Sequence, residues 1–299
     1  MDGVLVVDKP QGLTSHDVVA VARRCTRESH IGHTGTLDPL ATGVLPLACG
    51  RATRLIRFLT SSDKNYDADI RFGLTTDTFD VTGTETSRSG SIPSRADIER
   101  AIESLRGEYL QIPPPFSAKK IAGERAYAMA RRRENVTLAP VPVRVTRANL
   151  LSIDGATARI ELTCSAGFYV RAFAHRLGEI TGTGACLDAL RRTRSGDYDL
   201  RHAVTVEQLQ HPGEWRDALI PLERLLPAFP ATTLTPEGRQ RVSHGQDVLD
   251  MHVQADSALA LGEGSRPEWV RLLDPDGNLL ALATTGKSGD SLHPTVVLI

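Results

Sequence analysis

The sequence predicts an α+β fold built around a mostly antiparallel mixed sheet. Three observations carry that expectation. The run Tyr66-Asp67-Ala68-Asp69-Ile70-Arg71-Phe72 alternates apolar and charged residues, and Ala158, Ile160, Leu162 and Cys164 recur at the same period of two, as half-buried strands do. Thr14 with Asp17, and Ser94 with Asp97, have the spacing of a helix N-cap, each ahead of an amphipathic run. Strand candidates outnumber helices, and no regular strand–helix–strand repeat links them.

Gly3 to Val7 reads as a buried strand beginning almost at residue one. Thr14 then opens a helix through Val18, Val19, Ala22 and Cys25. A glycine-rich loop and strand follow, and Arg51 to Leu59 reads as a helix. Ile98, Ala101, Ile102 and Leu105 share one helical face, which Gly107 can terminate. Val170 to Ile180 has helical spacing and stops at Gly182. Pro221, Pro227 and Pro230 mark a linker. Beyond it come a short helix near Pro236 to Val242 and strand candidates, with a hairpin turning at Asp276-Gly277.

A chain of 299 residues has room for one large domain or two unequal ones. Its 40% hydrophobic and 24% charged residues are ordinary for a soluble globular protein. No apolar run approaches membrane-spanning length, and MDGVLVVDKP lacks the basic start and apolar core of a signal peptide, so a cytoplasmic location is expected. The four cysteines, Cys25, Cys49, Cys164 and Cys186, form no C-x-x-C and read as reduced thiols rather than as a zinc or redox site. His30 and His33 are close, but no acidic or cysteine partner completes a ligand set, so no metal is expected. The net charge of −1 and pI of about 6.8 argue against a generic nucleic-acid binder. The distribution says more. Between Arg106 and Arg147 nine Lys/Arg face three Asp/Glu, a local balance of +6, whereas 61–105 and 230–299 each stand at −4. One basic segment in an acidic chain is enough to engage phosphates.

The densest signal is Gly32 to Arg54, GHTGTLDPLATGVLPLACGRATR. Asp38 sits there between glycine turns, and Pro39 pushes it into extended geometry. That is a way to hold one carboxylate at a fixed angle toward a ligand. An isolated Asp-Pro would more simply be an Asx-type turn. The lead-in His33-Thr34-Gly35-Thr36 and the number of special residues favour the functional reading.

This segment resembles the catalytic motif of the TruB family of tRNA pseudouridine-55 synthases. Lys9-Pro10-Gln11-Gly12-Leu13-Thr14-Ser15 is similar to the family's KPxGxTS element, Asp63-Lys64-Asn65-Tyr66 to its tyrosine motif and Cys164 through Arg171 to its arginine motif. Leu190-Arg191-Arg192-Thr193 falls where the family carries an LRR element. The motifs occur in order from residue 4 to about 200. The resemblance implies the pseudouridine synthase fold over 1–226, with a basic RNA-contacting insertion at about 114–142. It also implies a small β-rich PUA-like domain over 230–299.

The chemistry it implies is isomerisation of uridine to pseudouridine at position 55, in the tRNA T-loop. The N-glycosidic bond breaks and the base rejoins through C5; nothing is oxidised or lost, so no cofactor is expected. The resemblance makes Asp38 the nucleophile, attacking C1′ or acting as a base at C2′, a choice that stays open; the covalent route resembles that of retaining glycosidases. It makes Arg171 the charge partner of Asp38, Tyr66 the residue stacking on the target base, Leu190 an apolar wall, and His33 the prop of the space left by an extruded uridine. Lys64 is then a contact to a backbone phosphate or a neighbouring acid. Lys119, Lys120, Arg131, Arg132 and Arg133 become phosphate contacts of the insertion. Apart from their motifs, Arg171 reads as a surface arginine, Tyr66 and Leu190 as core residues, His33 as a backbone hydrogen-bonder and the basic run as a solvated face. The expected partner is the tRNA T-stem-loop, met by a monomer without an obligate protein partner or a membrane. Two other readings exist: a non-catalytic RNA-folding factor on the same fold, against which the intact Asp38, Tyr66 and Arg171 speak, and a nucleoside hydrolase, for which no water-positioning base opposite Asp38 is evident.

Overall fold

In a computed structural model of the chain, the described residues are 1–117, 120, 121, 124, 125, 129, 132, 138–254, 267–286 and 291–299. The alternating segments become the centre of a mixed sheet of eleven strands. Across it lie Ala203–Thr205, Gly3–Lys9, Thr42–Cys49, Ala185–Ser195, Lys64–Phe72, Thr157–Cys164, Val141–Asp154 and Gly107–Gln111. Three short strands, Ile31–His33, Tyr198–Asp199 and Ile220–Pro221, pair outside this path. Neighbours are antiparallel except where Gly3–Lys9 meets Ala203–Thr205 and Thr42–Cys49 meets Ala185–Ser195.

Every second residue of Lys64–Phe72, from Lys64 to Phe72, is buried. One face of the sheet packs on the helices Ser15–Thr26, Arg95–Ser104 and Val170–Thr181, with Val18, Ile70, Ile98, Ile160 and Phe173 in a common core. Each such side chain contributes about 1.5–3 kcal/mol by leaving water. Both N-caps form as read: the Thr14 and Ser94 hydroxyls accept the N–H of Asp17 and Asp97, whose carboxylates accept the cap N–H in return. The arginine-motif helix ends at Gly182, which takes φ +70° and closes a left-handed C-cap.

The structure departs from the sequence reading in three places. The expected helix over Arg51 to Leu59 is a 3₁₀ segment, Gly50–Leu55, running into a single α-turn, Ile56–Thr60. Gly50 at φ +57° turns the chain sharply out of its strand, and Asp2 captures the Arg51 N–H, so the first turn tightens. Gly107 does not end a helix: Arg95–Ser104 stops at Leu105, and Gly107 opens the edge strand that follows. The proline-marked stretch after residue 221 is not a free spacer, because Leu222, Leu225 and Leu226 are buried against Val4, Val6 and Leu55.

A second sheet holds Ala231–Thr233, Val270–Leu273, Leu279–Thr285 and Leu292–Val297, with Gly277 at φ +84° in the turn between two of them. It is fastened to the end of the glycine-rich segment. Arg51 Nη1 donates to the Leu298 carbonyl at 2.6 Å, and Arg54 Nη1 to that of Val297. The Phe58 ring meets the Trp269 ring edge-on at 4.7 Å.

Cys49, Cys164 and Cys186 are buried free thiols and Cys25 is partly buried. Burial pushes Cys49 and Cys164 up to about 12 and Cys186 to about 11, so these thiols stay protonated and unreactive. Among the described residues no helix is long and apolar enough to cross a membrane.

Gly43, at φ +100°, is where the glycine-rich motif enters the sheet, and a Cβ there would stand 2.2 Å from the Arg192 carbonyl oxygen. Gly43→Ala should therefore cost at least about 2 kcal/mol, from backbone strain and the forced separation of two strands. Thermal denaturation checks this; an unchanged Tm would show that the strands part easily.

Candidate active site

The site begins as a row across five strands. Lys9 pairs with Gly43, Gly43 with Arg192, Arg192 with Tyr66 and Tyr66 with Leu162. Directly opposed residues present their side chains on one face. Lys9, Arg192 and Tyr66, all buried, therefore line up beneath the loop that carries Asp38.

That loop, between Ile31–His33 and Thr42–Cys49, is anchored from three sides. Ser15 Oγ accepts the Leu37 N–H at 2.8 Å and donates to the Leu37 carbonyl at 3.1 Å. Gly12 N–H donates to the Pro39 carbonyl at 2.8 Å, so the two neighbours of Asp38 are both tied to the KPxGxTS element. From below, the Arg192 guanidinium donates to Val44 O at 2.7 Å and Gly35 O at 3.1 Å. A loop carbonyl that the sheet cannot serve is thus satisfied by a buried side chain. Lys9 Nζ closes the KPxGxTS turn through Pro10 O at 2.9 Å and Leu13 O at 2.6 Å. Burial draws its ammonium down to about 8, with the charge of Asp38 opposing the shift.

Arg171 lies in the first turn of the Val170–Thr181 helix, and its Nε stands 2.8 Å from Asp38 Oδ2. The arginine side chain is 8% exposed and that of Asp38 43%, so the carboxylate faces solvent with a buried guanidinium behind it. Nη1 donates to Thr78 O and Nη2 to Phe116 O, each at 2.9 Å. The planar fork is thereby fixed on both sides, which an ammonium could not reproduce.

Behind Arg171 stands a residue that the sequence reading missed. Asp80 is buried, with Oδ2 3.7 Å from Arg171 Nε. Its Oδ1 accepts from Thr78 Oγ1 at 2.9 Å, from the Thr82 N–H at 3.0 Å and from Thr82 Oγ1. Phe79 before it takes φ +64° and stacks on His175 with ring centroids 3.8 Å apart. The strained backbone and the threonine run of TDTFDVTG build a seat for one carboxylate. The threonines around Asp80 were a legible signal; that they serve Arg171 was not. Arg192 carries no such signal in the sequence either, for it reads as one more charged residue in LRRT until its burial is seen.

Of the other expected site residues, Tyr66 and Leu190 come to the same sheet face, at 7% and 9% exposure. Burial pushes the Tyr66 phenol up, with the Arg192 guanidinium opposing, so the hydroxyl keeps its proton at neutral pH. His33 sits at the loop's start with its ring edge-on to His16 at 5.2 Å. Its Nδ1 is buried without a hydrogen-bond partner among the described residues, and burial, then His16 and Arg192, hold the imidazole below its ordinary value and neutral. Lys64 is a correction. Its buried ammonium donates to Thr60 O and Ser62 O and closes the end of Ile56–Thr60, so it is not turned toward a phosphate. Desolvation lowers it to about 8. In the basic segment, Lys119, Arg131 and Arg133 lie outside the described residues. Lys120 falls in a two-residue strand paired with Glu124–Arg125, and Arg132 is an exposed turn residue.

Comparison with known proteins agrees with the motifs. Residues 23–170 match the TruB family pseudouridylate synthase N-terminal domain and 171–227 the tRNA pseudouridylate synthase B C-terminal domain. The tRNA pseudouridine synthase B of Solibacter usitatus is 42% identical over 302 residues, covering 100% of both chains. That of Mycobacteroides abscessus is 45% identical over 213 residues, covering 69% of this chain and 72% of the relative. A solved H/ACA ribonucleoprotein bound to a substrate RNA containing 2′-deoxyuridine includes a chain of the same fold. Its TM-score is 0.72 at 23% identity, over 99% of this chain and 85% of that one. With its glycine-rich Asp38 loop, its arginine helix and a relative 42% identical along its whole length, the chain belongs to the TruB family of pseudouridylate synthases.

Proposed function

We propose that this chain isomerises uridine to pseudouridine at position 55 in the T-loop of tRNA, with Asp38 as the nucleophile. The observation that carries this reading is the contact of 2.8 Å between Asp38 and Arg171, with the carboxylate open to solvent and the guanidinium buried. A carboxylate that will meet a sugar carbon must be held at one angle and left open, and its pairing with a fixed guanidinium holds it without covering it. The preorganised cation also needs no rearrangement as charge moves during the reaction.

The remaining roles are those that the motifs imply. Tyr66, protonated and below the loop, offers a ring for the target base to stack on. Leu190 walls the same face. A neutral His33 suits the space left by an extruded uridine better than a cation would. The basic insertion at about 114–142 holds the stem phosphates, which position RNA without reading its sequence. We take 1–226 as the catalytic domain and 230–299 as a PUA-like unit. The protein acts in the cytoplasm as a monomer on the tRNA T-stem-loop, with no added cofactor.

Asp38→Asn keeps the shape and removes the charge. RNA affinity should stay near wild type while pseudouridine formation disappears, as measured on a T-stem-loop RNA. Turnover near the wild-type rate would sink the mechanism.

Arg171→Lys keeps a charge but loses the fork that Thr78 O and Phe116 O orient. It should turn over at least about tenfold more slowly at saturating RNA. A fully active lysine variant would return Arg171 to a structural role.

The salt dependence of RNA binding reads out the basic run. Replacing Arg131, Arg132 and Arg133 with Gln should lower the slope of log affinity against log salt by roughly 0.7–0.9 for each lost phosphate contact. The rate at saturating RNA should move little. An unchanged slope in a folded triple variant would make these arginines a solvated face.

A further inference from the structure

The edge strand Gly107–Gln111 ends beside the active site, and the chain after it makes a short arch where the basic insertion begins. Gln111 is buried at 4% exposure. Its side-chain amide spends both ends on one residue: Nε2 donates to the Tyr169 carbonyl at 3.1 Å, and Oε1 accepts the Tyr169 N–H at 2.8 Å. Tyr169 is the N-cap of the helix that carries Arg171, and no side chain of its own caps that helix. Five residues after Gln111 the arch returns, and the Phe116 carbonyl accepts from Arg171 Nη2 at 2.9 Å.

Between these two fastenings lie Ile112-Pro113-Pro114-Pro115. Three successive prolines fix φ near −65° and remove three N–H donors, so the span is stiff and makes no ladder bonds of its own. A stiff span held at both ends transmits position. One end sets the backbone immediately before Val170 and Arg171, and the other sets an acceptor for the guanidinium itself.

We infer that Gln111 is a positioning residue for the reaction, which, through the Pro113–Pro115 arch and the Tyr169 cap, holds the Arg171 guanidinium at the angle that Asp38 requires. The inference rests on the reading of Arg171 as the charge partner of Asp38, and it adds a residue that touches neither Asp38 nor the substrate face. The arch also forms the start of the basic insertion, so the segment assigned to RNA phosphates and the active-site arginine share one anchor.

The experiment compares Gln111→Ala and Gln111→Met, in wild type and in Arg171→Lys, by single-turnover pseudouridine formation and equilibrium binding of a T-stem-loop RNA, with Tm measured for every variant. Gln111→Met keeps the length and volume of the side chain and serves as the variant that folds if the alanine does not. In the wild-type background the rate at saturating RNA should fall on the order of 10- to 100-fold, the scale of a misplacement of about 1 Å. RNA affinity should change less than about twofold, since uniform binding is untouched. In the Arg171→Lys background the same substitutions should cost under about threefold, because the group they position is already gone. A merely structural glutamine would lower Tm and slow both backgrounds by the same factor, which overturns the proposal. A wild-type rate in Gln111→Met beside a slow Arg171→Lys overturns it while leaving the Asp38–Arg171 reading intact. A wild-type rate in Arg171→Lys itself overturns that reading and this inference with it.

Discussion

A guanidinium removed from water is the constraint around which this structure is organised. The Arg171 guanidinium is almost wholly buried, so its N–H groups depend on acceptors that the protein itself must supply. Leaving such a charge without its partners costs about 3–5 kcal/mol. Its partners come from three separate stretches of chain: Asp38 on the glycine-rich loop, Thr78 O as acceptor and Asp80 as a second anion on the strained turn, and Phe116 O at the end of the proline arch. Each stretch is therefore held in register by the residue that also backs the candidate nucleophile. Stability and chemistry use the same contacts, and only Asp38, the outermost of them, is left open to a substrate.

A second buried guanidinium does for the floor what Arg171 does for the wall. Arg192 fills the row between Gly43 and Tyr66 and satisfies Val44 O and Gly35 O, so the loop carrying Asp38 rests on the sheet. Gly43 permits this, since no side chain at that position could stand beside the Arg192 backbone. Arg191, next along the strand, faces the other way and grips Asp8 through two bonds, at 3.1 and 2.7 Å. The motif that holds Asp38 continues into Arg51 and Arg54, which fasten the end of the chain through Leu298 O and Val297 O. One stretch of sequence thus ties together the site, the large sheet and the small one.

How much of this could be read from sequence differs by residue. The half-buried strands and both capped helices were legible because period and cap chemistry are local. Asp38 was legible because glycine, aspartate and proline together leave few conformations. Asp80, Arg192 and Gln111 were not, because what marks them is burial against segments distant in the chain. Gln111 meets Tyr169 58 residues on, and Arg192 meets Gly35 157 residues back. Lys64 misled for the opposite reason: it sits beside Tyr66 in the motif, yet its side chain turns back on Thr60 O and Ser62 O. The helix read over Arg51 to Leu59 failed because Gly50 and Asp2, outside that window, decide its first turn.

On the proposed reading, Asp80 acts on Asp38 through Arg171. A double-mutant cycle on the single-turnover rate tests it, using Arg171→Lys and Asp80→Asn at saturating RNA. Asparagine retains an oxygen for the Thr78 and Thr82 bonds and replaces the anionic oxygen facing Arg171 with a neutral NH2. If the three act together, each single variant is slow and the double variant is within about threefold of the slower single one. Two losses that multiply in full would mean that Asp80 and Arg171 serve separate purposes, and would contradict the account.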